Sequence, residues 1–204
     1  MLADDHAIVR QGLRAVLQQE SLTIVGDASD GRAAVRLCEG QHPDVAILDI
    51  AMPLLNGVDA AREIRRVSPQ TRIVLLTMYA EEPYVLASLR AGVVGYVLKS
   101  NAAADLIQAI AAVLRGEIYL SPGVSRTVVQ AFLAGSSVAE PLSAREREVL
   151  QLIAESKNMK EIGDLLGISS RTAETHRARI MDKLDIHDLP GLVRYAIKRG
   201  LIAS

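Results

Sequence analysis

Short apolar runs that end on polar residues constrain the fold of this chain more than any other feature. Runs rich in Val, Ile and Leu occupy residues 22–28, 45–50, 72–77 and 95–99. Such near-continuous apolar runs are typical of strands that are buried on both faces of a parallel sheet. Amphipathic stretches with helical spacing lie between them, and this alternation indicates an α/β fold. We predict a doubly wound sheet of five parallel strands, the first of which ends near Asp4.

Polar side chains follow four of the five predicted strands. Ligands of open α/β sheets bind outside the carboxyl ends of the strands, where these side chains would gather. A single strand often stops at a polar residue through turn chemistry alone, but five such residues at one edge favour a functional site. After the first, third, fourth and fifth strands, in chain order, they are Asp4, Asp5, Asp49, Thr77 and Lys99.

The residue types at this edge suit phosphoryl chemistry. Clustered carboxylates repel one another and need a cation, and Mg²⁺ binds one or two carboxylates together with phosphate oxygens and water. A carboxylate such as Asp49 can also attack phosphorus and form an aspartyl phosphate. Lys99 would then pair with one phosphoryl oxygen, and the Thr77 hydroxyl would bond to another. The predicted oxygen ligands of Mg²⁺ are Asp4, Asp5, Asp49 and the backbone carbonyl of Ala51.

The chain is predicted to contain two domains. Residues 1–116 carry the alternation of strands and helices and form the first. Residues 117–141 are predicted to be a linker, with a short connecting helix over residues 124–134. The linker ends in "GSSVAEP" (135–141), which is small, polar and Pro-ended, as is typical of interdomain segments. Residues 142–204 show only helical spacing and are predicted to form an all-α domain.

Apolar spacing and capping signals predict four helices in the second domain. Ser143 begins a capping box with Glu146. Gly167 can turn the chain sharply with a positive φ, and Ser169 or Ser170 can cap the helix that follows. This is the layout of a helix-turn-helix, whose second helix enters the major groove of DNA, although other small helical bundles share these signals. The predicted helices span residues 143–155, 159–166, 170–184 and 189–199.

Bulk composition restricts the function classes. Half of the 204 residues are hydrophobic, 23% are charged and the net charge is -1. Cys38 is the single cysteine, and no apolar run has the length of a membrane span, so we expect a soluble cytoplasmic protein that does not contact a membrane. The chain has one Phe and no Trp, which argues against base stacking as its mode of nucleic-acid binding.

Four motifs mark the first domain, namely "ADD" (3–5), "LDIAMPLLNG" (48–57), "LLT" (75–77) and "GYVLKS" (95–100). Together they resemble the receiver domain of bacterial two-component response regulators, and the resemblance covers residues 1 to about 116. It implies a flavodoxin-like sheet. Fewer apolar residues precede Asp4 than receiver chains usually carry, which predicts a short first strand.

The resemblance implies a role for each polar residue at the sheet edge. Asp49 would take a phosphoryl group from a sensor histidine kinase, and Asp4 and Asp5 would help to hold Mg²⁺. Thr77 would move toward the phosphoryl group, and the ring of Tyr96 would swing inward. Packing in the core is the alternative explanation for Tyr96. The switch residues would be Thr77, Tyr96 and Lys99.

The second domain resembles the LuxR-type DNA-binding domain over residues 142–202, including the turn "LLGISS" (165–170). With a receiver in front, the chain is similar to a NarL/FixJ-type response regulator. The implied function is a DNA-binding transcription regulator, and not an enzyme, that is switched by Mg-dependent phosphorylation of Asp49. Phosphorylation would bias the surface of residues 81–99, and the new surface would form a homodimer or release the DNA-binding domain. Binding to paired half-sites in double-stranded DNA would follow. LuxR-type domains usually pair through the last helix, here near Leu192, Ala196 and Lys198.

The third helix of this domain would be the recognition helix. Arg171, Glu174, Thr175 and Ala178 share one face by three- and four-residue spacing, and the resemblance turns that face toward the major groove. Arg171 could pair with a guanine, and Glu174 could accept a hydrogen bond from a cytosine amino group. A solvated face is the alternative for the arginines. The residues predicted to contact phosphates are Lys160, Thr172, Arg177 and Arg179.

Two other functions fit parts of the sequence. A phosphatase with an aspartyl-phosphate intermediate shares the Asp nucleophile, but a common layout places an acid/base Asp two residues later, where this chain has Ala51. A pseudo-receiver transcription factor would be controlled by a partner without phosphorylation. The short apolar run before Asp4 is its best support.

Overall fold

The chain folds as two compact units. The computed structural model describes residues 1–133 and 140–202, except for the side chains of residues 101–103 and 132. The boundary between the units falls within residues 134–139. In the described part of the chain, every helix is too short or too polar to span a membrane.

A six-stranded parallel sheet forms the centre of the first unit, with the strand order β2-β1-β3-β4-β5-β6. The strands are β1 (Leu2–Ala3), β2 (Asp27–Ala28), β3 (Val45–Leu48), β4 (Arg72–Thr77), β5 (Gly95–Leu98) and β6 (Tyr119–Leu120). The helices are α1 (Ala7–Gln19), α2 (Gly31–Gln41), α3 (Gly57–Val67), α4 (Glu82–Arg90), α5 (Ala102–Leu114) and α6 (Pro122–Leu133).

Helices cover both faces of the sheet, as the near-continuous apolar strands predicted. On one face, Leu13 of α1 and Leu106 of α5 pack in the same cluster as the sheet residue Val74. On the other face, Ile64 of α3 and Val85 of α4 lie in a second cluster with residues of α2 and α6. The predicted α/β fold with a parallel sheet is confirmed.

The number of strands was predicted wrongly, because a sixth strand lies in the segment that was predicted to be a linker. Tyr119 and Leu120 pair with Gly95 and Tyr96 of β5. A strand of two residues has too few positions to show a period, so its sequence carries no strand signal. The connecting helix, predicted over residues 124–134, begins earlier, at Pro122, and packs against α4 as part of the first unit.

The second strand is also shorter than predicted. The apolar run at residues 22–28 forms a strand only at Asp27–Ala28. Its partner β1 offers just two residues, with Leu2 beside Asp27 and Ala3 beside Ala28. The predicted short first strand therefore limits the pairing of its neighbour.

Within residues 140–202, the described part of the second unit, the chain forms four helices, as predicted. They are α7 (Ala144–Ala154), α8 (Met159–Leu166), α9 (Ser170–Leu184) and α10 (Leu189–Lys198). The Ser143 side chain accepts a hydrogen bond from the Glu146 backbone and Glu146 reaches back, which is the predicted capping box. Asn158 and Glu161 form a second capping box at the start of α8. Leu152, Ile162, Ile180 and Leu192, one from each helix, are fully buried in the core.

Candidate functional site

Three of the predicted site residues meet at the carboxyl edge of the sheet. Asp4 follows β1, Asp49 follows β3 and Lys99 follows β5. The Nζ atom of Lys99 lies 2.8 Å from Oδ2 of Asp4 and 3.0 Å from Oδ2 of Asp49. Asp4 and Asp49 are buried, with exposed fractions of 2% and 6%. Lys99 thus bridges two buried carboxylates that come from separate strands.

The charges in this pocket are strongly coupled. Burial raises the pKa of the Asp49 carboxyl, and the nearby Asp4 adds to the rise, while Lys99 and the Ile50 N–H group oppose it; the net pKa is raised. For Lys99, burial lowers the pKa, but hydrogen bonds and charges from Asp4 and Asp49 outweigh burial and raise it. Two carboxylates against one ammonium leave the pocket net negative, which favours the binding of a further cation.

The loop from β3 to α3 holds Asp49 in place. Oδ1 of Asp49 accepts a hydrogen bond of 2.8 Å from the Ile50 N–H group. Asn56 caps α3 by accepting a hydrogen bond from the Asp59 N–H group. Gly57 donates a backbone hydrogen bond to Ile50, and a Cβ atom at Gly57 would lie 2.0 Å from the Asp49 carbonyl oxygen. The loop can close this tightly only because residue 57 has no side chain.

Asp5 and His6 lie beside this pocket at the start of α1. Asp5 is exposed, and its Oδ1 atom lies 2.7 Å from Nδ1 of His6. One ligand atom from each of Asp4, Asp5 and His6 lies within 4.8 Å of the others. The carboxylate oxygens of Asp4, Asp5 and Asp49 are hard donors of the kind that Mg²⁺ prefers, so the residues fit that ion. The predicted ligand carbonyl belongs to Ala51, which is half-buried in the loop after Asp49.

Thr77 and Tyr96 are joined through the backbone of one residue, Tyr79. The Thr77 hydroxyl oxygen accepts a hydrogen bond of 3.3 Å from the Tyr79 N–H group. The Tyr96 hydroxyl donates a hydrogen bond of 2.8 Å to the Tyr79 carbonyl. Thr77 and Tyr96 are fully buried, and burial raises the pKa of the Tyr96 hydroxyl. Tyr96 already lies inward here, so its predicted swing stays a prediction.

Tyr79 was not among the residues singled out from the sequence. Both of its contacts to the switch residues use backbone atoms. Nearly every residue type has these atoms, so the residue type at position 79 does not indicate the contacts. Its ring packs on that of Tyr84 at the start of α4, with 4.8 Å between centroids. The only sequence signal was its position two residues after Thr77, at the tip of a strand.

The turn between α8 and α9 has the predicted geometry. Gly167 adopts a left-handed conformation with φ 64° and ends α8. Ser169 caps α9 by accepting a hydrogen bond from the Thr172 N–H group. Arg145 of α7 donates a hydrogen bond of 2.6 Å to the Leu166 carbonyl, which ties the end of α8 to the first helix of the unit. These contacts fix the direction in which α9 leaves the turn.

The start of α9 presents the predicted DNA-contact residues to solvent. Ala173 and Ile180 are fully buried and anchor the helix on the unit. In the described part of the chain, the basic side chains of the predicted set make no ion pair and are available for other contacts. Arg177 is half-buried. The exposed members of the set are Lys160, Arg171, Thr172, Glu174, Thr175, Ala178 and Arg179.

Two of the predicted DNA-contact side chains are already engaged within α9. The Thr172 hydroxyl lies 2.8 Å from that of Ser169 at the helix cap. The Thr175 hydroxyl donates a hydrogen bond of 2.9 Å to the Arg171 carbonyl. Of the residues named for pairing through α10, Leu192 and Ala196 are fully buried within their own unit and Lys198 is exposed. Pairing through this helix stays a prediction.

Comparisons with known proteins place both units in described families. The model of the response regulator receiver domain matches residues 1–111, and that of bacterial regulatory proteins of the luxR family matches residues 140–196. The transcriptional regulatory protein YxjL of Bacillus subtilis (strain 168), itself uncharacterized, is 38% identical over 98% of this chain and 95% of its own length. The oxygen regulatory protein NreC of Staphylococcus carnosus is 38% identical over 99% of this chain and 98% of its own.

Solved structures agree with these matches. RcsB of Salmonella enterica serovar Typhimurium, bound to the promoter rprA in the presence of the phosphomimetic BeF3-, is 32% identical with a TM-score of 0.65 and 95% coverage of both chains. An RcsB–DNA complex is 31% identical with a TM-score of 0.60, over 97% of this chain and 96% of that one. The fold and the strand-edge pocket define a receiver joined to a helix-turn-helix unit. The chain belongs to the two-component response regulators with a LuxR-type domain, a family of transcriptional regulators, as the sequence predicted.

Proposed function

We propose that this protein is a DNA-binding transcription factor that is switched by Mg²⁺-dependent phosphorylation of Asp49. The observation that carries the proposal is the bridge from Lys99 to Asp4 and Asp49 at the carboxyl edge of the sheet. This bridge combines a candidate nucleophile, a metal-binding carboxylate and a cation for the phosphoryl group. The RcsB structures, solved on DNA and with a phosphomimetic, support the same function for a relative of similar length.

The phosphoryl donor is a phosphohistidine of a sensor histidine kinase. A carboxylate oxygen of Asp49 attacks phosphorus, the P–N bond breaks, and its electron pair leaves on the imidazole nitrogen. Lys99 then pairs with a phosphoryl oxygen in place of Asp49, and the Thr77 hydroxyl donates to another. Asp4, Asp5, Asp49 and the Ala51 carbonyl would hold Mg²⁺. When bound, the ion offsets the negative charge that the phosphoryl group brings to the pocket.

The pocket stores the phosphoryl group and does not turn it over rapidly. Hydrolysis by a phosphatase of this chemistry needs an acid/base residue, and Ala51 occupies the position where a common layout has Asp. We therefore expect no steady turnover of a phosphate monoester such as p-nitrophenyl phosphate. Turnover that disappears in Asp49→Asn would favour the phosphatase function instead.

The output of the switch is the exposed start of α9. Arg171 and Glu174 read base edges in the major groove. The side chains that contact DNA phosphates are Lys160 of α8 and Thr172, Arg177 and Arg179 of α9. Glu174, Asp182 and Asp185 make α9 less basic than a strong DNA-binding helix, so one copy binds weakly. A homodimer on paired half-sites recovers affinity, because the second contact becomes intramolecular.

Labelling by a small phosphodonor tests the site. Wild-type protein with acetyl phosphate and Mg²⁺ should gain one phosphoryl group by intact mass, and Asp49→Asn should gain none. Asp44→Asn is the matched control, since Asp44 is an exposed carboxylate just before the other end of β3. It should be labelled like wild type. Equal labelling of wild type and Asp49→Asn would refute the assignment.

Control by a partner without phosphorylation is the second candidate. Its support is the length of β1, which has only two residues. Against it, β1 pairs with both neighbouring strands, and Asp4 beyond it reaches Lys99. Titration with beryllofluoride and Mg²⁺ separates the candidates. A saturable change in the amide signals of residues 49–57 supports phosphorylation, and no change supports control by a partner.

A further inference from the structure

Helix α6 is docked on the receiver through its apolar face. Val124 is fully buried and belongs to the same core cluster as Tyr84 and Tyr96, and Val128 packs against that cluster. Ala131, two turns after Val124, is 2% exposed. This helix is the last element before residues 134–139 and the second unit. Any change in its docking therefore moves the point from which the chain leads to the DNA-binding unit.

Hydrogen bonds join Tyr96 to the residue before α6, and join α6 itself to the loop that follows Thr77. The Ser121 N–H group, just before the helix, donates a bond of 2.9 Å to the Tyr96 carbonyl. The Thr127 hydroxyl, in the middle of the helix, lies 3.3 Å from the Ala80 carbonyl. Ala80 follows Tyr79, whose backbone is bonded to both Thr77 and Tyr96. Loop residues 78–81 thus lie between the switch residues on one side and α6 on the other.

The hydrogen bond from Thr127 to the Ala80 carbonyl can be exchanged for another one with little loss of free energy. The Thr127 hydroxyl lies 3.3 Å from the Ala80 carbonyl and also 3.3 Å from the Gly123 carbonyl within its own helix. A hydroxyl has one donor hydrogen, so the two carbonyls compete for it. If the loop moves away, the hydrogen bond passes to Gly123, so the half-buried Thr127 hydroxyl keeps an acceptor. The loop contact is therefore weak enough to be broken by a small displacement of Ala80.

The geometry points to α6 as an output element whose docking depends on the state of Thr77 and Tyr96. This inference rests on the proposed function and extends it by naming the path of regulation. When Thr77 turns toward a phosphoryl group on Asp49, the Tyr79 N–H group bonded to it is displaced, and Ala80 moves with it. The Thr127–Ala80 bond breaks, and α6 loosens on α4. Helix α6, the last described element before the DNA-binding unit, is then released from its docked position.

Amide hydrogen exchange of the full chain tests the coupling without any phosphodonor. Thr127→Val keeps the shape of the side chain and removes the hydroxyl, so exchange should rise about 2- to 3-fold both in residues 122–133 and in residues 78–81, as the loss of a weak hydrogen bond implies. Thr127→Ser should restore the wild-type rates. Ser125→Ala is the control within the same helix, because its hydroxyl bonds only to Leu120 and Ser121. It should leave residues 78–81 unchanged.

Tyr96→Phe tests the same path from its other end. It removes the bond to the Tyr79 carbonyl and keeps the buried ring, so exchange in α6 should rise although residue 96 is not part of that helix. A merely structural role for Thr127 would not produce this effect. The coupling is refuted if Tyr96→Phe leaves α6 at wild-type rates or if Thr127→Val leaves residues 78–81 at wild-type rates.

Beryllofluoride with Mg²⁺ completes the test. In wild type it should slow exchange in residues 49–57 and speed exchange in residues 122–133, and in Asp49→Asn it should do neither. Slowed exchange in residues 49–57 with unchanged exchange in α6 would overturn the role of α6 and leave the proposed function standing. Unchanged exchange in residues 49–57 would count against the proposed function, and the two variants above would still decide whether α6 is coupled to Tyr96.

Discussion

Lys99 holds Asp49 in an ion pair, with Nζ of Lys99 3.0 Å from Oδ2 of Asp49. The same ammonium lies 2.8 Å from Oδ2 of Asp4, so two buried carboxylates share one cation. Burial raises the pKa of Asp49, and Lys99 is the charge that most opposes the rise. Lys99 therefore favours the ionised form of Asp49, which is the form that attacks phosphorus in the proposed reaction.

Replacement of this cation should change the pH dependence of phosphorylation. In Lys99→Met, burial and Asp4 still raise the pKa of Asp49, and the opposing charge is lost. Since only the carboxylate attacks phosphorus, labelling by acetyl phosphate at saturating Mg²⁺ should slow most at acidic pH and should partly recover as the pH rises. The pH profile of the labelling rate measures this. Lys99→Arg keeps the charge and should keep the wild-type profile; a wild-type profile in Lys99→Met would contradict the account.

The absence of a side chain at Gly57 should be essential for the shape of the pocket. A Cβ atom there would lie 2.0 Å from the Asp49 carbonyl oxygen, which is backbone and cannot move aside alone. Gly57→Ala should therefore lower the free energy of unfolding by about 1–3 kcal/mol and slow the labelling of Asp49. Urea unfolding and intact mass measure the two effects.

Gly12→Ala is the matched control for that substitution. Gly12 lies within α1, and a Cβ atom there would have no atom within 4 Å. The alanine should raise the free energy of unfolding by up to about 1 kcal/mol through helix propensity, with labelling unchanged. We expect the free energy of unfolding to fall in Gly57→Ala and to rise in Gly12→Ala. A rise in both variants would show that the loop after Asp49 accommodates a Cβ atom without strain.

Glu146 should stabilise the second unit in a pH-dependent way. Burial alone would raise the pKa of Glu146, but hydrogen bonds from Lys183 and Ser143 outweigh it and lower the pKa from 4.5 to about 2. The folded unit thus favours the carboxylate. Its contribution is complete above pH 4.5 and is lost as the pH falls from 4.5 toward 2. Glu146→Gln should lower the free energy of unfolding by about 1–3 kcal/mol near neutral pH. The difference in this free energy between the variant and wild type should become smaller as the pH falls.

Glu161→Gln provides the comparison for Glu146. Glu161 takes the same position in the capping box of α8, but it is exposed. Its replacement should cost less than about 1 kcal/mol. Amide exchange in α7 and α9 of the full chain measures both variants. The role given to Lys183 would be refuted if the difference in unfolding free energy between Glu146→Gln and wild type stayed constant from pH 7 to pH 3.

Arg171 and Lys160 should affect DNA binding in different ways. On DNA selected from a random pool, Arg171→Ala should weaken the free energy of binding by about 1–3 kcal/mol, because it removes a base contact. The sequence preference at one base pair should be lost with it. Lys160→Ala should weaken binding to every sequence alike and lower the dependence on salt by about one phosphate contact. Fluorescence anisotropy at several salt concentrations measures both. A uniform loss in Arg171→Ala would place that residue on a phosphate instead.

The sequence was sufficient to predict the alternation of strands and helices and the chain positions of Asp4, Asp49 and Lys99. Strand ends in a parallel sheet must meet at one edge, so the position of a residue along the chain determines its position in space. The capping box at Ser143 and the left-handed Gly167 were also predictable. Each of these features depends on side-chain type and local backbone conformation, which the sequence records directly.

The contacts that join the switch to α6 could not be predicted. Those of Tyr79 are made by its backbone, and the acceptor for Thr127 is the Ala80 carbonyl, 47 positions away in the chain. No residue type marks either contact. The strand β6 was missed for a related reason, because its two residues become a strand only through pairing with Gly95 and Tyr96.

The affinity of the full chain for DNA, with and without beryllofluoride and Mg²⁺, tests the central claim most directly. A DNA duplex selected from a random pool serves as the probe. Wild type should bind about tenfold more tightly or better when beryllofluoride is present, which lies within the usual range of coupling between two sites. Asp49→Asn should bind with the same affinity in both conditions. Equal affinity of wild type in the two conditions, or an equal response in Asp49→Asn, would contradict the account.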